Sequence, residues 1–205
     1  MRSAVLSVVV ARPLREVELD SLYHAHPHAN GDGVLFVDDI DRVRHVELFT
    51  AATLRYKWSV LGYCQMTTHW HFVAQLPELG LSEGMQWLQS EYARGWNRRH
   101  DQKGHLFLQH FGGKPIRSNG HLLSTLRYVD LNPLAIDNVF APEDWAWSSY
   151  RAHVGLEHPP AYLDLPAFHR LFGMTPGEAC DVYKRFVSLG HDPVSDTGFE
   201  DPSYE

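Results

Sequence analysis

His69 and His71 flank a single tryptophan in the run Met66-Thr67-Thr68-His69-Trp70-His71-Phe72-Val73. Side chains alternate along a β-strand, so both imidazoles would face one way while Trp70 and Phe72 face the other. Two neutral imidazoles fixed on one strand face make a platform for a divalent cation. The ordinary alternative is two half-buried histidines hydrogen-bonded to backbone, and in a chain with 14 histidines the pair alone does not choose between them. A rival row, His24, His26 and His28, alternates in the same way near the start of the chain, interrupted by Pro27.

A nucleophile stands further on, in the run from His121 to Pro133. There Leu122, Leu126 and Val129 recur at helical spacing and form one apolar stripe. At ~100° per residue, Tyr128 falls well off that stripe, on the side of the helix that carries His121, Thr125 and Asn132. Asn132 follows Tyr128 by one turn, and Pro133 ends the helix because it lacks an N–H and disfavours helix at the preceding residue. A phenol and a carboxamide are thereby presented together. Taken alone, they equally describe a surface tyrosine at a helix end.

The elements that must position these groups can be read coarsely. Residues 20–28 read as a first strand. A helix begins at Asp38 or Asp39 and carries Ile40, Val43, Val46 and Phe49 at helical spacing. Residues 58–66 and 69–76 read as a hairpin about Thr67-Thr68. Ser82 caps a helix with Met85, Leu88, Tyr92 and Trp96 on its core face. Residues 106–111 read as a last strand, 112–115 as a flexible corner, and Ser118 or Asn119 as the cap of the Tyr128 helix. The order βαββαβ predicts an α+β fold with a ferredoxin-like antiparallel sheet. One sheet face stays available for the Tyr128 helix to fold over. A small helical C-terminal extension is expected to follow.

Composition sets the outer bounds. The chain has 205 residues, 44% of them hydrophobic, and is long enough for one domain with an appendage. Expected boundaries are a lead-in at 1–19, the site-bearing domain at 20–155, the helical extension at 156–190 and an acidic, disordered tail at 191–205. Cys64 and Cys180 lie far apart and give neither a zinc motif nor a disulfide framework. No apolar run approaches ~20 residues and no signal peptide is read at the start, so no membrane role and a reducing cytoplasm are expected. The net charge of −7 argues against a generic nucleic-acid binder. Yet Arg94, Arg98, Arg99, Lys103, Lys114, Arg117 and Arg127 outnumber the acids between Glu91 and Asp130, so a local basic surface remains open.

Taken together, the His69-Trp70-His71 strand and the Tyr128-to-Asn132-Pro133 helix resemble the HUH single-strand nucleases. They resemble more closely the REP-associated tyrosine transposases of bacteria, in the IS200-like transposase group. The resemblance covers roughly residues 20 to 155. It is carried, in order, by Tyr23-His24, Phe36 to Arg42, Met66 to Val73, Leu81 to Asn97, Gly104-His105-Leu106, Arg127 to Pro133 and Trp147-Ser148-Ser149-Tyr150.

The resemblance implies that His69, His71 and Asn132 hold Mg²⁺ or Mn²⁺, and that Tyr128 attacks a phosphodiester of single-stranded, hairpin-containing DNA. The product would be a 5′-phosphotyrosyl adduct and a free 3′-OH. Arg94, Arg98, Arg99, Lys114, Arg117 and Arg127 are the expected DNA contacts, in a monomer or a homodimer. The chain departs from the family at His28-Ala29, Thr67-Thr68, Phe107, His110 and residues 134–138. Arg-Gly, Pro-Asn, Trp, Arg and an Arg-Ala-Gly run commonly stand there. The lost basic residues keep open a non-catalytic, hairpin-binding protein, and a water-using phosphoesterase is a third reading.

Overall fold

The computed structural model describes residues 22–76, 80–108 and 111–190. The expected lead-in at 1–19, the tail at 191–205 and His110 lie outside the described residues. Within them the chain runs β1 (Leu22–His26), α1 (Asp39–Tyr56), β2 (Ser59–Gln65), β3 (Trp70–Gln75), α2 (Leu81–Arg99), β4 (Gly112–Pro115), α3 (Asn119–Leu131), α4 (Tyr150–His153), α5 (Leu165–Arg170) and α6 (Pro176–Leu189). The strands form one antiparallel sheet in the order β2-β3-β1-β4, as a ferredoxin-like α+β fold requires.

Alternation divides the sheet into two unlike faces. Ala25, Tyr63, Trp70, Phe72 and Ala74 pack against Leu48, Phe49 and Ala52 of α1 and Met85, Leu88 and Tyr92 of α2. On the other face Leu22, Leu61 and Val73 meet Leu122, Leu126 and Val129 of α3. Phe168, Tyr183 and Phe186 of α5 and α6 complete that second core. The C-terminal helices therefore share one apolar cluster with the Tyr128 helix. α3 approaches β2 at Gly62, where a Cβ would come within 2.6 Å of Leu126 Cδ2.

Three local expectations are corrected. The helix α1 forms as expected, with Asp38 accepting from the Ile40 and Asp41 amides, but its buried face is rotated. Ile40 and Val43 are exposed, whereas Asp41, Arg42 and His45 are buried. Each of those polar groups has partners. Asp41 takes Arg99 and His100, Arg42 donates to the Gln65 carbonyl and lies over Phe36, Trp145 and Trp147, and His45 meets Tyr63 and Gln65. Partnered polar groups can be buried, and here they outweigh simple hydrophobic periodicity even though Nε2 of His45 has no partner.

The cap of α2 is Gly80, with no side-chain hydrogen bond, rather than Ser82. The fourth strand falls on residues 112–115, where a flexible corner was expected, and the described residues of 106–111 form none. Pairing with β1 decides this, from Tyr23↔Pro115 to His26↔Gly112. Pro115 is tolerated because β4 is an edge strand, and Gly112 leaves room for the His26 ring, which a Cβ would strike. Residues 106–108 run beside 28–30 through the Ala29↔Phe107 bridge and the Leu108 amide on the His28 carbonyl, without building a ladder.

Candidate active site

The β1–β3 register gathers both histidine rows on one face. Leu22↔Gln75 through Ala25↔Phe72 sets the pairing, and the His28↔His69 bridge continues it. Residues directly opposite in an antiparallel pair point the same way, so β1 and β3 present their imidazoles together. The His69 and His71 rings are 4.8 Å apart between centroids, His28 and His69 are stacked at 4.7 Å, and His24 lies 5.1 Å from His71. Trp70 is fully buried on the opposite face, as alternation demands.

Tyr128 reaches this row from α3. Its ring meets His71 edge-on at 5.5 Å and His24 at 6.1 Å. Ser118 starts α3 by accepting from the His121 amide, and the apolar stripe of Leu122, Leu126 and Val129 sets its rotation. The phenol is thereby turned toward the sheet within the same chain. Asn132 caps the helix, its amide donating to the Tyr128 carbonyl, and opens a 3-10 turn over Asn132–Ala135. Lys114 is paired with His24 across β1 and β4, which places it on the histidine face as well.

His71 is the buried centre of the group. Its Nδ1 lies 3.0 Å from Nε2 of His24, while its own Nε2 is buried with no hydrogen-bond partner. Burial first, and then the neighbouring imidazoles, hold His71 well below the ordinary histidine range. It is therefore a neutral imidazole at physiological pH, the form that ligates metals. A buried ring nitrogen without a partner beside a second imidazole suits a divalent cation. Among the described residues no three His, Cys, Asp or Glu side chains are closed around one point, so ligands of another kind, such as the Asn132 carboxamide, would have to complete a shell.

The expected basic contacts are placed unequally. Arg99 is engaged by Asp38 and Asp41, and Arg127 lies 4.5 Å over the Phe186 ring. Arg94 pairs with Glu91 on the surface of α2. Arg98 and Arg117 are exposed, and Lys114 flanks the histidines. A cleft of about 710 Å³ lies apart from the imidazoles, between α2 and residues 104–108 with Phe111, lined by Gln86, Gln89 and Phe107 among others. The amide nitrogen of Gln89 is buried without a partner.

A second buried polar group fixes α3 in place. Asp130 accepts from Tyr183 at 2.7 Å, faces His153 Nδ1 at 3.0 Å and receives Ser149 at 3.4 Å. Nε2 of His153 faces the Leu61 carbonyl at 2.8 Å, so both ring nitrogens meet acceptors. The Trp147-to-Tyr150 block packs against the sheet, with the Gln65 amide on the Trp147 carbonyl and the Ser149 amide on the Tyr63 carbonyl. Neither the His24–His71 contact nor the Asp130–His153 pair was anticipated. His24 carried a signal, its place in the alternating row, but its partner depends on strand register.

Residues 32–132 match the family model described as transposase IS200 like. That span contains His69, His71, Tyr128 and Asn132 but not β1. Among solved structures, the chain is similar to a REP-associated tyrosine transposase bound to a REP hairpin, at 16% identity and a TM-score of 0.57. The alignment covers 73% of this chain and 88% of that one, and at this identity the likeness is one of fold. No curated protein matches the chain.

Proposed function

The chain carries a transposase IS200-like domain, and from that premise we propose that it is a metal-dependent single-stranded DNA endonuclease and strand transferase. It would cut at or near a hairpin through a 5′-phosphotyrosine on Tyr128. The observation that carries this reading is the Tyr128 ring set edge-on against His71, across the histidine face of the sheet.

His69, His71 and Asn132 would hold Mg²⁺ or Mn²⁺. A divalent cation there would stabilise charge on a non-bridging phosphate oxygen. Tyr128 supplies the nucleophile: its phenolic oxygen bonds to phosphorus, the P–O3′ bond breaks, and the 3′ oxygen leaves and takes up a proton. Phenols ionise near pH ~10, so proton removal must be assisted at neutral pH. The Tyr128–DNA ester conserves the phosphodiester, and a 3′-OH can reverse the step and rejoin strands. Lys114 on the same face would meet the DNA backbone, with Arg98 and Arg117. The cleft along α2 suits unpaired bases, with Phe107 and Phe111 for stacking and Gln86 and Gln89 for base edges.

Covalent trapping tests this. Labelled single-stranded hairpins from DNA flanking the gene are incubated with protein and Mg²⁺ or Mn²⁺ and resolved on denaturing gels. The expected adduct is metal-dependent, absent in Tyr128→Phe, and reduced at least a hundredfold in His71→Ala. The engagement of Arg99 and Arg127 within the protein favours a second reading, a hairpin-binding protein without chemistry. Tight, EDTA-resistant hairpin binding with no adduct would select that reading instead.

A further inference from the structure

The histidines of β1 precede the residues that match the family model, and the proposed chemistry gives them no task. We infer that His24 is a positioning residue that sets the tautomer of His71, so that a lone pair on His71 Nε2 is aimed at the metal. This rests on the reading of His71 as a metal ligand.

The contact between His24 Nε2 and His71 Nδ1, at 3.0 Å, can run in either direction. If His71 donates its Nδ1–H to His24, its Nε2 carries a lone pair. If His24 donates instead, Nε2 of His71 carries a hydrogen with no acceptor in a buried site. A buried N–H without an acceptor loses its full hydration, whereas a buried lone pair is a ligand position. Metal-bound histidines ordinarily donate their other ring N–H to a fixed acceptor, which holds the ring and raises its basicity. His24 stands where that acceptor belongs. It sits on β1, between β3 and β4, paired with Val73 on one side and Lys114 on the other, so the sheet fixes it from both directions. Its ring also lies 6.1 Å from that of Tyr128, which places the positioning group beside both the ligand and the proposed nucleophile.

The test uses the full chain as wild type, His24→Leu, His24→Gln and His71→Ala. Mn²⁺ and Zn²⁺ affinities are measured by calorimetry, and the His71 tautomer is read from ¹⁵N chemical shifts of labelled histidine. The expected wild-type tautomer is protonated at Nδ1, and His24→Leu should weaken metal binding about 10- to 100-fold. His24→Gln, whose carboxamide oxygen can accept the same proton, should recover most of that loss. A His24→Leu protein that binds as wild type overturns the inference. So does a wild-type His71 protonated at Nε2, whether or not the variants fold. A wild type that binds neither ion, or a His71→Ala protein that binds both normally, instead removes the metal reading and this inference with it. Loss of adduct in Tyr128→Phe with metal affinity intact keeps the two claims separable.

Discussion

His45 and His71 are both buried imidazoles, yet their settings give them different consequences. His45 lies on the α1 face of the sheet among Phe36, Phe49, Trp70 and Tyr92. Burial pushes it down to about 3. The unfolded chain takes up this proton as pH falls through about 6.5, and the folded chain does not until about 3, so the unfolded state binds more protons between them. Stability is full above that window and should decline within it by up to ~1.4 kcal/mol per pH unit. Urea midpoints measured from pH 7 to 4 check this, and His45→Phe should flatten the slope. Nothing local in the sequence marks His45, because its burial depends on Tyr63 and Gln65 from β2. That His69 and His71 share one strand face, and that Tyr128 stands off the apolar stripe of its helix, was legible because strand alternation and helical phase act over a few residues. The His24–His71 contact was not, since neither strand's sequence states which residue it faces.

At the scale of elements, the approach of α3 to β2 decides where the phenol sits. Leu126 is fully buried, so a Cβ on Gly62 has no free space to displace it into. Gly62→Ala should cost ~1–3 kcal/mol by overpacking. It should also lower adduct yield by lifting Tyr128 from the histidines. Denaturant unfolding and the trapping assay read the two effects separately. The order of elements was legible from periodicity and turn residues, and the 4-1-3-2 sheet follows from it. The fourth strand was misplaced because 106–108 is apolar and 112–115 is not. Leu106 and Phe107 do reach the core, but as a loop, while Gly112 to Pro115 carry the hydrogen bonds to β1. Backbone pairing at a sheet edge leaves little trace in side-chain pattern. The α1 face was misread for the complementary reason: Ile40 and Val43 are apolar and exposed, and their buried neighbours are polar and partnered.

Across the whole molecule, Asp130 joins α3, α4 and α6 with β2 through Tyr183, His153 and the Leu61 carbonyl that His153 faces. Asp130→Ala should destabilise the protein by ~3–5 kcal/mol, because a buried partner is removed from a fully desolvated group. Thermal unfolding checks this. The surface carries a different expectation. With Arg99 and Arg127 engaged, Arg98, Lys114 and Arg117 are left as the principal phosphate contacts, and about three contacts to a single strand give a log K against log salt slope near −2. Hairpin binding titrated between low and moderate salt measures it. The acidic balance was plain in the sequence, but which arginines are engaged by acids and rings is a tertiary fact. Tyr128 lies in the last turn of α3, a turn that holds no basic side chain. The aligned peptide dipoles leave partial negative charge at that end of a helix, the reverse of the N-terminal ends that attract phosphate. On the proposed chemistry, a phosphodiester drawn to Tyr128 therefore approaches against the field of the nucleophile's own helix. The attraction has to come from across the gap, from Lys114 and from whatever cation the imidazoles of the sheet hold.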